Sequence, residues 1–318
     1  MSISFTIFLK IGILDKNKQL KLEKEDIMKY VAVFDVGGTD VKYGLFDPAD
    51  NTLVFKQSFP TCAENGAPFI YNNIIDKINE LKQNYDLMGV GISSAGVIDS
   101  TTGVVLNATK TIPNFIGFKI IETVSSATGL KVTVENDVNC FALAEIANRP
   151  NVKDFVLITL GTGIGGAIVV NRHIYRGFSF ASGEVGRMYV GDVTWEESSS
   201  VKALVSLAQA QELPINNGIE LFKLYDEGNQ EAIELINHWF YRVAKGISNL
   251  IYLFNPEILA IGGAISNRPT LVKELMPFLK ETCDATYLKN TKIVHATLQS
   301  DGGLYGAYYH FWANYMKV

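Results

Sequence analysis

Three glycine-rich turns and one carboxylate are the parts of this sequence best suited to chemistry. Phe34-Asp35-Val36-Gly37-Gly38-Thr39-Asp40-Val41 sets two glycines and a hydroxyl just after an apolar run that ends in an acid. Glycine lets a backbone approach an anion closely and turn its N–H groups toward phosphate, and Asp35 is placed to orient Mg2+ or its waters. Leu160-Gly161-Thr162-Gly163-Ile164-Gly165-Gly166 repeats the device, and Gly262-Gly263-Ala264 closes a third apolar run. Each turn alone also suits simple hairpin geometry, but three at strand ends favour a nucleotide site. The G-x-G-x-x-G string from Gly161 is not a dinucleotide fingerprint, because a strand rather than a helix follows it. Asp137 stands where a strand ends and a helix begins. A carboxylate there can take the proton of a hydroxyl nucleophile during phosphoryl transfer, and a helix N-terminus also favours an acid for its own sake.

The elements that must hold these groups follow from the hydrophobic pattern. Residues 30–47 read as a hairpin and 52–59 as a third strand, followed by a helix over 68–84 with apolar residues at Ile70, Ile74, Ile75, Ile78 and Leu81. A buried strand over 87–93, a helix over 120–128, a strand over 131–135 and a helix opened by Asn136 and Asp137 complete the half. The pattern restarts at Asp154, with a strand over 155–160, a turn over 161–166, strands over 167–171 and from 173, helices over 198–207 and 231–254, a strand over 258–261 and a last helix from Leu304. The order is that of an α/β fold with two ribonuclease-H-like, actin-like lobes and a cleft between them. The expected division is 28–145 with 304–318 as the lobe carrying the base and the sugar side, and 146–303 as the nucleotide lobe. Residues 1–27 are expected to be a non-native or disordered extension, because Lys24-Glu25-Asp26 can be back-translated as a purine run just before the Met28 codon. An added N-terminal strand is the alternative.

The chain has 318 residues, 47% hydrophobic and 19% charged, with a net charge of -5. That is ample for a large core and gives no basic field for nucleic acid, so phosphate must be held locally. No apolar window is long enough for a membrane span. The three cysteines are scattered and read as reduced thiols of a cytoplasmic protein, Cys140 as core. The four histidines show no metal spacing.

Together, Asp35 to Thr39, the stretch 91–99, Glu135-Asn136-Asp137-Val138-Asn139, the Gly161 to Gly166 loop, Ser182-Gly183-Glu184-Val185-Gly186 and Ile261-Gly262-Gly263 resemble the ROK family of bacterial sugar kinases and sugar-responsive repressors. The resemblance covers nearly the whole chain from Met28. It implies ATP and Mg2+, with Asp35, Gly37, Gly38, Thr39, Gly161, Thr162, Gly163, Gly262, Gly263 and Ala264 on the nucleotide. It also implies Asp137 as the base, Asn114, Asn136 and Glu184 on sugar hydroxyls, Ala95-Gly96 bordering the sugar, and a homodimer. Most members carry a His and a cysteine-rich zinc loop after the Gly-Glu segment. Here Arg187 takes the place of the His, and residues 189–200 contain no cysteine, so no thiolate zinc site can form there. Arg187 could touch a sugar or pair with Glu184 or Asp192, and Trp195 could stack on a sugar or join the core.

The reaction that this implies is transfer of the ATP γ-phosphoryl group to a sugar hydroxyl, expected at O6 of a hexose, an N-acetylhexosamine or a β-glucoside. A sugar-responsive regulator without catalysis is the alternative, although too little chain precedes the first strand for a helix-turn-helix. A filament-type nucleotide binder would not need Asn136-Asp137 or Ser182-Gly183-Glu184. The cleft is expected to narrow on sugar binding, so that water is kept from the phosphoryl group.

Overall fold

Two five-stranded sheets with one and the same strand order organise the chain. The computed structural model describes residues 29–315, so the expectation for residues 1–27 lies outside the described residues. The first half contains β1 (Lys29–Val36), β2 (Asp40–Asp47), β3 (Thr52–Pro60), helix α1 (Ala67–Leu81) and β4 (Asp86–Ser94). A small hairpin of β5 (Val97–Asp99) and β6 (Val104–Asn107), then α2 (Ile120–Thr128), β7 (Lys131–Asn136) and α3 (Asp137–Asn148) complete it. The second half runs through β8 (Phe155–Leu160), β9 (Ile164–Val170), β10 (His173–Ile174), a small hairpin of β11 (Tyr189–Val190) and β12 (Val193–Thr194), α4 (Trp195–Ser199), α5 (Val201–Ala210), α6 (Gly218–Asp226) and α7 (Gln230–Phe254). It ends with β13 (Ile258–Gly262), α8 (Leu271–Thr282), α9 (Ala285–Leu288), β14 (Lys292–His295) and α10 (Gly302–Tyr315).

The first sheet has the order β3-β2-β1-β4-β7 and the second β10-β9-β8-β13-β14. In both, the first three strands meet antiparallel and the last two join parallel. This is the duplicated ribonuclease-H-like, actin-like arrangement expected from the repeated pattern. The parallel strands β4 and β13 are apolar and buried along nearly their whole length, as strands covered on both faces must be.

Each sheet is covered on both faces. The first has α1 and α2 on one side and α10 on the other, where Phe311, Tyr308 and Leu304 meet Val31, Val33 and Phe46. The second carries the long α7 with α5, α6 and α8 on one side, and on the other α3, whose Phe141 packs with Phe155, Leu157 and Ala167. The helix that ends the first half in sequence therefore packs on the second sheet, and the helix that ends the chain packs on the first. These two crossing helices touch each other closely: a Cβ at Gly306 would lie 1.7 Å from the Cys140 carbonyl oxygen. Gly89 and Gly91 of β4 leave equal room for Phe311 and the Ala307 backbone.

Several element boundaries differ from the sequence expectation, the helix over 68–84 ending at Leu81 and the last helix starting at Gly302, and three further differences fall between β9 and α5. Gly165 and Gly166 lie inside β9 rather than in the turn, paired with Thr159 and Ile158. They are glycines because side chains there would strike Val138 and Val185. The expected helix over 198–207 is two helices, since Ser200 is extended at ψ 155° and caps α5 through its side chain. The strand from residue 173 stops at Ile174, and Arg176 turns inward.

Candidate active site

Between the two halves opens a cavity of about 310 Å³. Its walls come from the β4–β5 turn (Ala95, Gly96), the start of α3 (Asn136 to Asn139), the β8–β9 turn (Gly161 to Gly163), the segment Ser182 to Glu184 with Arg187, and Gly263. Seen from the sequence, these are separate loops; the duplicated sheet brings their ends to one place.

Asp137 is the first residue of α3 and is half-buried in this cavity. Burial, followed by the charges of Asp35 and Glu184, pushes its carboxyl up to about 7, while the Val138 N–H, donating at 2.9 Å, pulls in the other direction. A carboxylate poised near neutrality is well matched to taking up a proton at physiological pH. Asn136 fixes it in place. Its amide nitrogen donates to Asp137 Oδ1 and to the Gly96 carbonyl, both at 2.9 Å, and its Oδ1 accepts from the Val138 and Asn139 N–H groups at 3.0 Å. All four hydrogen-bonding positions of the Asn136 amide are thus taken by protein partners, and the side chain caps the helix as well as orienting the acid.

Behind Asn136, Glu135 is 1% exposed and ion-paired to Arg176 at 2.6 Å. Facing Asp137 from the other lobe, Gly183 is held at φ 95° with its backbone against the Gly166 carbonyl, which only a glycine permits, and this presents Glu184 to the cavity. Arg187 pairs with Glu184 at 3.4 Å, both exposed, and also lines the cavity.

The second glycine turn is closed by Gly161 N–H donating to the Gly163 carbonyl at 3.0 Å. Glu196 of α4 accepts from the Ile164 N–H at 2.8 Å and so braces the turn from the side. Gly263, at φ 85° against the Leu160 backbone, also lines the cavity, whereas Gly262 packs on Phe141, and neither it nor Ala264 is among the lining residues. The first turn, Gly37 to Thr39, stands outside this cavity, with Gly38 and Thr39 exposed. Asp35 accepts from the Ser93 hydroxyl at 2.7 Å and rests against Gly303 in the first turn of α10. Burial raises its carboxyl, which the Ser93 bond and Lys42 oppose and Asp301 reinforces. Asn114 is exposed, in a left-handed conformation at φ 55°, and does not line the cavity, although its neighbours Ile112 and Phe115 do.

Sequence reasoning missed Glu196, Phe180, Asn107 and Thr159, all of which line the cavity. For Glu196 a local signal existed: Thr194 and Glu197 form a capping box, which fixes α4 and with it the adjacent Glu196. Trp195 is fully buried and packs on Gly246, so its place is the core rather than a sugar face. Among the described residues no cluster of three or more His, Cys, Asp or Glu could hold a metal by itself. Nor is any described helix long and apolar enough to cross a membrane.

Comparison with known proteins bears on the family and the fold. The ROK family pattern matches residues 30–313. The chain is 34% identical over 294 residues to the beta-glucoside kinase of Listeria innocua, a match spanning 88% of this chain and 97% of that protein. Among solved structures, the Lmo2764 protein of Listeria monocytogenes superposes with a TM-score of 0.79 at 31% identity, covering 90% of this chain and 99% of that one. A ROK family glucokinase from Streptomyces griseus, determined with glucose and AMPPNP, superposes with a TM-score of 0.72 at 25% identity, covering 87% and 97%. Matched over nearly its whole described length in both sequence and fold, the chain belongs to the ROK family.

Proposed function

We propose that this protein is a sugar kinase that transfers the terminal phosphoryl group of ATP to a sugar hydroxyl, O6 of a hexose, an N-acetylhexosamine or a β-glucoside. The observation that carries the reading is Asp137: a carboxyl near pH 7, oriented by Asn136, in one cavity with the Gly161 to Gly163 turn. The sugar oxygen attacks the γ-phosphorus as the bond to the β-phosphate oxygen breaks. ADP departs, and the hydroxyl proton passes to Asp137. Glu184 and Arg187 offer hydrogen bonds to the other sugar hydroxyls, with Ala95-Gly96 as the backbone border. Backbone N–H groups at Thr162 and Gly163 and at Gly38 and Thr39 suit the phosphates, those of Gly161 and Gly37 being engaged within their own turns, and Gly263 suits the nucleoside.

The donor chemistry suits Mg2+. Asp35 raises the proton affinity of Asp137, hard oxygen donors predominate, and among the described residues no cluster of His, Cys, Asp or Glu competes for the ion, so ATP oxygens would supply most of its ligands. Asp35 would hold it, directly or through water, and when bound it neutralises charge that develops on the phosphates.

The test is a substrate screen of free hexoses, N-acetylhexosamines and β-linked disaccharides with wild type and Arg187→His, with the phosphorylated position read by NMR. ATP turnover that needs no sugar and persists in Asp137→Ala would remove the proposal. Scattering profiles should contract when sugar and nucleotide are added, because the first glycine turn now stands outside the cavity.

A further inference from the structure

Arg176 joins the two lobes directly behind the candidate base. It follows β10 at the edge of the second sheet, whereas its partner Glu135 precedes Asn136 at the end of β7 in the first. Arg176 Nε donates to Glu135 Oε2 at 2.7 Å and Nη2 lies 2.6 Å from the same oxygen. The other oxygen, Oε1, accepts from the Asn136 N–H at 2.9 Å and from Asn139 Nδ2 at 3.1 Å. A carboxylate this deeply buried needs such partners, and the guanidinium is the only cation that the described ion pairs give it. On the backbone side, the Arg176 carbonyl accepts from the Ser182 N–H at 3.1 Å. That bond closes the loop that ends in Gly183 and Glu184, with Gly177 in left-handed conformation at φ 71° and close against Ser182.

We propose that Arg176 is a positioning residue: its side chain holds the strand end bearing Asn136-Asp137 and its carbonyl holds the loop bearing Glu184, so base and sugar-facing acid keep one spacing. This rests on the kinase reading above. A lysine can supply the charge but not the fork of donors, and glutamine supplies neither.

The test uses the full chain with Arg176→Lys, Arg176→Gln and the double variant Glu135→Gln/Arg176→Gln, the last leaving no charge buried without a partner. In steady-state kinetics with a sugar identified in the screen, Arg176→Gln should lower kcat about 100-fold with KM for ATP unchanged, the scale expected when reacting groups shift by about 1 Å. Arg176→Lys should recover part of the loss. The double variant should regain the melting temperature but not kcat. Hydrogen exchange of the sugar-free protein should speed up together at Val138–Asn139 and at Gly183–Glu184. Wild-type kcat in the double variant, or faster exchange at only one of the two segments, would overturn the proposal. Should Arg176→Gln not fold, the double variant and Arg176→Lys decide the matter in the same way. If wild type phosphorylates no sugar, the kinase reading falls, while the exchange experiment still decides whether Arg176 couples the segments.

Discussion

The first and second glycine turns occupy equivalent places in equivalent sheets, yet their surroundings differ. Between β1 and β2, Gly37 to Thr39 is closed by the Gly37 N–H donating to the Asp40 carbonyl and is held by Thr61, whose N–H donates to the Thr39 carbonyl at 2.8 Å and whose hydroxyl donates to the Gly37 carbonyl at 2.7 Å, while a Cβ added at Gly38 would meet nothing within 4 Å. Between β8 and β9, the turn is braced by Glu196 and by the first N–H groups of α5, and a Cβ at Gly163 would stand 2.3 Å from the Glu196 carboxylate. The same strand-turn-strand occurs twice, and the segment after β10 ties only the second copy to the acid-bearing wall of the cavity. The second turn is thus part of the cavity wall, whereas the first stands outside it.

The largest effect should come from Asp137, the proposed base. Asp137→Asn is expected to lower kcat by about 10²- to 10⁴-fold, the usual contribution of a general base, with both turns intact. In wild type, kcat should fall as pH drops through about 7, because the ionised form is the acceptor. The sign for stability is opposite. A carboxyl whose folded value lies above the unfolded one binds its proton more tightly when folded, so stability falls as pH rises from about 4 to 7. Asp137→Asn removes that cost and should raise stability at pH 8 by up to about 4 kcal/mol, seen in denaturant melts at pH 5 and 8. Equal stability changes at the two pH values would argue that Asp137 is not shifted.

Next in size, Trp195→Ala should cost about 3–5 kcal/mol by emptying a core site between α4 and α7. The side chain is fully buried, and Gly246 lies against its ring. A weaker sugar KM with unchanged stability would instead put the ring on the substrate.

Gly163→Ala against Gly38→Ala probes the two turns themselves. The first forces Glu196 off the Ile164 N–H, and losing a charge-assisted hydrogen bond of about 1.5 kcal/mol should lower kcat/KM for ATP about tenfold. The second meets open space and should leave kcat/KM near wild type. Equal losses would mean that the bracing by Glu196 is irrelevant to the nucleotide.

Much of this architecture was legible because it is written in local pattern. Apolar runs ending in Gly37-Gly38, Gly161 to Gly163 and Gly262-Gly263 located the strands, and their recurrence disclosed the duplication before any pairing was known. Asn136-Asp137 was legible as a helix start, because a cap and a first-turn acid sit in fixed order. What stayed hidden depends on partners distant in sequence. Glu135 and Arg176 are 41 residues apart, and no spacing rule links them. Gly165 and Gly166 looked like turn residues because glycine marks turns, but here it marks close packing of Val138 and Val185 on a strand. The unbroken helix over 198–207 was likewise read from local type, while the Ser200 break follows from the tertiary fold, and Asn114, set on the sugar by the family resemblance rather than by local pattern, stands exposed outside the cavity.

The smallest expected effect concerns the residue that most distinguishes the sugar side. Arg187 and Glu184 form a pair at 3.4 Å with both side chains well exposed, a geometry whose contribution to stability is under about 1 kcal/mol. Arg187→Ala should therefore leave the melting temperature almost unchanged. Because both residues line the cavity, the same substitution should raise KM for the sugar while KM for ATP stays put. The two quantities separate the alternatives. A lower melting temperature with unchanged sugar KM makes Arg187 a partner of Glu184 alone, and a sugar KM that moves by itself makes the pair part of the substrate wall, set opposite Asp137 in place of a metal-supported loop.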